Sequence, residues 1–128
     1  RYLCEDLVRL PRDLRAALIT SVETFEHIPT ETLPDFIASM RDLLRPGGRL
    51  FCTTPLAPVT VRPPMSQGHV AEYSTEEFVS RLSEGFSVDA VTYQTHDLQL
   101  VQALPAGYPL PQSKFHEHVV QIAVCTKR

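Results

Sequence analysis

Glu23, Glu26 and His27 are the residues of this chain whose types and spacing carry chemistry most directly. On a helical turn, positions three and four apart share a face, so Glu23 can converge with Glu26 or His27 on a single ion. Two carboxylates and an imidazole suit magnesium, manganese or zinc. His69 lies in a long proline-rich loop and would add a fourth ligand if that loop folds over the same strand ends. His27 and Glu23 also form a candidate catalytic pair, because an imidazole titrates near neutral pH and can act as a general base. The competing reading of His27 is a turn histidine that hydrogen-bonds the backbone and orders its loop. His116 and His118 would point to one face of a strand, where a solvated strand start explains them as simply as a metal does. Arg62 sits in the same loop as His69 and can meet an anionic substrate or simply be exposed.

The elements that must hold these residues are legible from punctuation and periodicity. Ala17 to Val22 reads as a short buried strand, and Glu23 to Ile28 as the turn at its carboxyl end, closed by Pro29. Leu33, Phe36, Ile37, Met40, Leu43 and Leu44 fall on one helical face, with Thr30 or Thr32 as cap and Pro34 tolerated in the first turn. Pro46 cannot continue that helix, and Gly47 and Gly48 permit the positive φ of a tight reversal. Arg49 to Thr54 is then a strand stopped by Pro55. From Pro55 to Tyr73 the chain has no periodicity, and a loop of that length in a compact domain is usually a lid or binding loop. Ser74 to Glu77 is a capping box that starts a helix ended by Gly85. Phe86 to Gln94 alternates as a strand, and Val119 to Thr126 is a final strand. With Arg1 to Asp6 as the end of an earlier strand, the order predicts an α/β fold. Its sheet is mostly parallel with an antiparallel final strand pair. Ligands in such sheets bind beyond the carboxyl ends of the strands.

Composition narrows the function classes. The 128 residues are one domain's worth, and 43% hydrophobic with 21% charged residues is ordinary for a globular chain. A net charge of -3 without a concentrated basic face argues against a nucleic-acid partner. No apolar run approaches the ~20 residues of a membrane helix. Cys4, Cys52 and Cys125 are far apart in apolar contexts, so they read as buried thiols in a reducing compartment, by default the cytoplasm.

Val22 to Ile28, then Leu43 to Leu50, then Thr53-Thr54-Pro55 resemble, in this order, class I methyltransferases that use S-adenosylmethionine. His69 to Ser74 with the following Glu76-Glu77-Phe78, and Arg1 to Leu7 with Pro11, are similar to further segments of the same family. The resemblance implies a Rossmann-like, doubly wound sheet and methyl transfer to oxygen or nitrogen of a small-molecule acceptor. It implies that Asp6, with Leu7 packed beside it, contacts the cofactor's adenine, and that Ser21 and Val22 line the cofactor site. The Glu23-x-x-Glu26-His27 pattern looks like two metal-dependent O-methyltransferase groups, those of ubiquinone biosynthesis and those acting on small-RNA 3′ ends. That likeness implies a cation, magnesium or another divalent metal, held by Glu23, Glu26, His27 and His69. The family's glycine-rich loop after the first strand has no counterpart among Gly47, Gly48, Gly68, Gly85 and Gly107. The expectation is therefore the carboxyl-terminal part of a single methyltransferase domain, incomplete at its N-terminus and inactive alone. The rival expectation is a methyltransferase-like binding module that does not bind the cofactor.

Overall fold

The computed structural model describes residues 5–11, 13–63, 68–110 and 119–128. The expected strand end at Arg1 to Cys4, and His116 and His118, lie outside the described residues. Five strands form one sheet in the order β1-β2-β5-β3-β4: β1 Ala16–Ser21, β2 Leu44–Pro55, β3 Phe86–Gln94, β4 Leu100–Val101 and β5 Val120–Lys127. β1 and β2 are parallel, and β5 runs antiparallel between β2 and β3, so β1, β2 and β3 all point the same way. The final long strands, β3 and β5, are the antiparallel pair that the sequence predicts. Short 3₁₀ turns cover Leu7–Arg9 and Phe25–His27.

Helix α1 spans Leu33–Leu43 and buries Leu33, Ile37, Met40 and Leu43, as the periodicity requires. Thr32 occupies the cap position, but its hydroxyl donates to the Pro29 carbonyl at 3.1 Å and caps nothing. Helix α2 spans Thr75–Leu82, and Ser74 caps it by accepting from the Glu77 amide at 3.4 Å. The reciprocal half of the capping box is replaced. The Ser74 amide donates to Thr60 Oγ1 at 3.0 Å, which leaves the Glu77 carboxylate for Arg62 and Arg81.

Both helices feed one core. Leu33, Ile37 and Met40 from α1 meet Phe78 and Leu82 from α2 over Leu50, Cys52, Ala123 and Cys125 of the sheet. Each fully buried large apolar side chain of that set contributes roughly 1.5–3 kcal/mol. Burial drives the Cys52 thiol pKa far upward and the Cys125 thiol to about 12, so both are packing groups. The opposite sheet face carries Leu18, Phe51, Ile122 and Val124, which are exposed or half-buried. No helix among the described residues covers them, and none is long and apolar enough to cross a membrane.

Three expectations change. β1 is a sheet edge among the described residues rather than a buried strand, and Leu18 is 57% exposed. Of the two hinge glycines only Gly47 has positive φ (69°). Gly48 is needed for space, because a Cβ there would lie 2.8 Å from the Arg45 carbonyl and 3.2 Å from that of Ala16. Gly85 is likewise a close-approach residue and not a left-handed cap, since a Cβ there would lie 2.8 Å from Ile37 Cγ2.

Candidate active site at the carboxyl ends of β1 and β2

The turn after β1 begins with a strained residue. Glu23 has φ 47°, a conformation that side chains with a Cβ adopt at a cost of about 1–3 kcal/mol. Thr53 of β2 holds it there twice: its hydroxyl accepts from the Glu23 amide at 3.1 Å and donates to Glu23 Oε1 at 2.8 Å. The next threonine serves the next carboxylate. Thr54 Oγ1 donates to Glu26 Oε2 at 2.9 Å, and Glu26 is 1% exposed. A carboxylate so buried is normally paired, hydrogen-bonded or bound to a cation.

The Pro55–Tyr73 segment is ordered where it is described, and it folds back on itself. Leu56 and Tyr73 pair in parallel, and Val61 and Glu72 pair antiparallel. Gln121 of β5 ties its two ends together, its amide donating to the carbonyls of Pro55 at 3.3 Å and Tyr73 at 2.9 Å. The returning arm is stitched onto the turn after β1. The amides of Val70 and Ala71 donate to the Glu26 carbonyl at 2.8 and 3.2 Å, and His27 Nδ1 donates to the Gly68 carbonyl at 2.7 Å. Arg62 is committed to structure: it ion-pairs Glu77 and stacks over the Tyr73 ring at 5.3 Å.

This stitching brings His69 to His27, with ring centroids 4.9 Å apart at 82°. One ligand atom from each of Glu26, His27 and His69 lies within 4.8 Å of the others. His69 is 8% exposed, and its Nδ1 lies 2.9 Å from Glu72 Oε1. Glu23, expected in the same ligand set, is not part of that group; its positive φ and its two bonds to Thr53 direct it along β2 instead. The convergence therefore comes from the loop, not from helical spacing of Glu23 with Glu26.

The cofactor-side candidates are spread out. Ser21 is buried at the tip of β1 beside the Cys52 thiol, and its hydroxyl meets no hydrogen-bond partner of good geometry among the described residues. Val22 is 57% exposed just beyond it. Asp6 is exposed, and Leu7 lines a cavity of about 700 Å³ against α1. A second cavity, about 400 Å³, opens past the end of β2, lined by Leu56, Ala57, Thr75, Tyr93 and Leu104. Residues that spacing alone did not single out include Glu72 and the Gly68 carbonyl. The three-residue step from His69 to Glu72 was the available signal for the first.

A family model described as a methyltransferase domain matches residues 5–119. The chain belongs to the methyltransferase-domain family. No curated protein matches it. Among solved structures it is similar to the 1,6-didemethyltoxoflavin-N1-methyltransferase of Burkholderia thailandensis, bound to 1,6-didemethyltoxoflavin and S-adenosylhomocysteine. That likeness has a TM-score of 0.68 at 15% identity and covers 99% of this chain and 50% of that one. It is similar to the N-methyltransferase NodS of Bradyrhizobium japonicum, with TM-score 0.59, 18% identity, and 96% and 57% covered. It is also similar to the [4+2]-cyclase SpnF, with TM-score 0.69, 15% identity, and 98% and 54% covered. At such identities the likeness establishes the fold, a Rossmann-like methyltransferase α/β sheet. The methyltransferase-domain chain spans about half the length of these structures.

The loop of this domain has a pH signature. Hydrogen bonding from Arg62 holds the Glu77 carboxyl below its usual range. A lowered carboxyl pKa stabilises the fold above the unfolded value, and that contribution is lost as pH falls through the folded value. Arg62→Gln should therefore lower Tm at neutral pH, and the difference should shrink as pH falls below the ordinary carboxylate range through the folded Glu77 value, as thermal melts of both proteins would show.

Proposed function

We propose that the protein to which this methyltransferase-domain chain belongs transfers a methyl group from S-adenosylmethionine to an oxygen or nitrogen of a small molecule. The observation that carries this reading is the convergence of Glu26, His27 and His69 beyond the parallel strand ends, in a chain of this family. The names of similar proteins, two of them N-methyltransferases, and the bound S-adenosylhomocysteine of one, agree with it.

The chain's own residues fit part of the cofactor. Ser21, with its under-satisfied buried hydroxyl, and Val22 would face it at the tip of β1, and Asp6 and Leu7 would meet its adenine. The five glycines form no closely spaced glycine-rich turn between a strand and a following helix, so the family's glycine-rich backbone cradle is not among these residues. When bound, the cofactor would supply an electrophilic methyl on a sulfonium, whose sulfur leaves as the thioether S-adenosylhomocysteine as the acceptor takes the methyl in line. The chain's contribution is then alignment, exclusion of water by the Pro55–Tyr73 loop, and removal of the acceptor's proton by His27. The cavity past β2 has the ~300–1,000 Å³ scale of small-molecule sites.

The finer reading is cation-assisted O-methylation. Glu26, His27 and His69 would hold a divalent cation, whose positive charge lowers the proton affinity of an acceptor hydroxyl; His27 would then be a ligand in place of the base. Glu23, by contrast, would act from beside Thr53. A non-catalytic module is the second reading, and the absent glycine cradle is the observation behind it. Calorimetric titration of S-adenosylmethionine into protein expressed from its full reading frame separates the two. Saturable one-to-one binding is expected, and no measurable heat would leave only the module.

A further inference from the structure

The cavity of about 400 Å³ past the end of β2 has an uneven polar lining. Glu76 is the charged residue among its described lining residues, and the walls around it are apolar or neutral, with Leu56, Leu104 and Leu110 the largest aliphatic groups. The Glu76 carboxylate makes no hydrogen bond or ion pair with the described residues. Arg62 is held by Glu77, and Arg81 by Glu77 and Glu84.

The other polar groups here also lean toward accepting. Thr75 Oγ1 and Tyr93 Oη lie 3.2 Å apart. Their mutual bond uses a hydrogen from one and a lone pair from the other, which leaves the pair with more lone pairs than hydrogens. Gln121 stands opposite Tyr93 in the β3–β5 register and is 0% exposed. Its amide nitrogen is spent on the carbonyls of Pro55 and Tyr73, and its Oε1 meets no donor among the described residues. A buried acceptor without a donor is uncommon and calls for one. The helix dipole at the start of α2 accounts for an acid at Glu76, but it does not account for Gln121.

We infer that this cavity is the anchoring subsite for a small molecule with an apolar body and a protonated amine, with Glu76 as its counter-ion and the Thr75–Tyr93 hydroxyl pair orienting the N–H groups. The inference rests on the methyl-transfer reading and names the class of molecule acted on. An ammonium has no lone pair, so the nitrogen at Glu76 is an anchor, and the methyl goes to another atom of the same molecule. The distance suits that division. Leu56 stands two residues past Thr54, whose hydroxyl bonds Glu26, about 7 Å along an extended chain. The competing occupant is an anion on the first amides of α2, which lack partners inside the helix. Ser74 already takes the Glu77 amide, and an anion would also face the Glu76 carboxylate.

The test uses protein expressed from its full reading frame, with backbone amides followed by ¹⁵N–¹H NMR. Probes that share one apolar body are added separately: phenethylamine, phenethyl alcohol and hydrocinnamate. The amine should shift Thr75, Glu76 and Tyr93 saturably and bind about 10-fold tighter than the alcohol, the scale of one hydrogen bond to a charged group. Hydrocinnamate should leave those resonances unmoved. Glu76→Gln should bring the amine down to the alcohol's affinity while alcohol binding stays the same, which shows that the cavity is intact. No shift at millimolar amine, equal affinity for amine and alcohol, tighter binding of hydrocinnamate, or undiminished amine binding in Glu76→Gln would each overturn the inference. Amine binding without methyl transfer would count against the methyl-transfer reading alone, and methyl transfer without amine binding against the anchor alone.

Discussion

Phe25→Ala should cost about 3–5 kcal/mol of stability, the range for truncating a fully buried aromatic residue. Phe25 is 0% exposed and meets Tyr73 and Phe78 edge-on, with centroids 5.1 and 5.2 Å away. Three parts of the molecule meet at that ring: the turn after β1, the return of the Pro55–Tyr73 segment, and α2. Edge-to-face aromatic pairs add roughly 0.5–1.5 kcal/mol beyond the area they bury. Against a typical total of about 5–15 kcal/mol, the loss is a large fraction of the fold's stability. Urea unfolding should show a lower midpoint with an unchanged slope. A loss below about 1 kcal/mol would mean that the ring is not the junction of these elements. The following residue is Glu26, so the same substitution should loosen the site as well as the core.

Glu26→Ala should abolish cation binding and reduce methyl transfer by more than the ~10–100-fold typical of an outer-shell partner. Its carboxylate is the buried member of the cluster, and its removal strands the Thr54 hydroxyl at a cost of about 1–3 kcal/mol. Glu26→Gln separates the two effects, because an amide keeps the hydrogen bond from Thr54 and loses the charge. Stability near wild type with activity lost is the expected outcome for Gln. Exhaustive chelation of the wild-type protein should reproduce that loss, measured as S-adenosylhomocysteine release. Full activity after chelation would exclude a cation from the reaction.

Much of this was legible in the residues. α1 followed from its apolar spacing and Pro34, α2 from Ser74 and Glu77, and β3 from an alternation that breaks at Ala90 and Val91, beside the register shift between Val88 and Ala90. Glu26, His27 and His69 were legible as a group because a loop leaving β2 and returning to a following helix must pass over the strand ends. What could not be read was tertiary. Periodicity did not reveal that β1 lies at an edge among the described residues, since exposure of Leu18 depends on what pairs beside it. The glycine pair advertises positive φ, but Gly48 is needed for space against the Arg45 and Ala16 carbonyls, and Gly85 for space against Ile37, nearly fifty residues away in sequence. Glu23 broke the three-and-four rule because its backbone is left-handed, so it is not on a helical turn at all. Glu72 was not singled out by spacing, and it stands beside His69 in a segment that pairs back onto Val61.

If a site built on Glu26, His27 and His69 moves a methyl group to a small molecule, one assay should register it. Protein expressed from its full reading frame is incubated with methyl-labelled S-adenosylmethionine and a pool of hydroxyl- and amine-bearing small molecules. Label should appear in the small-molecule fraction with an equal amount of S-adenosylhomocysteine, and both should be lost in Glu26→Gln. Label that stays on S-adenosylmethionine while the protein binds it would contradict methyl transfer at this site.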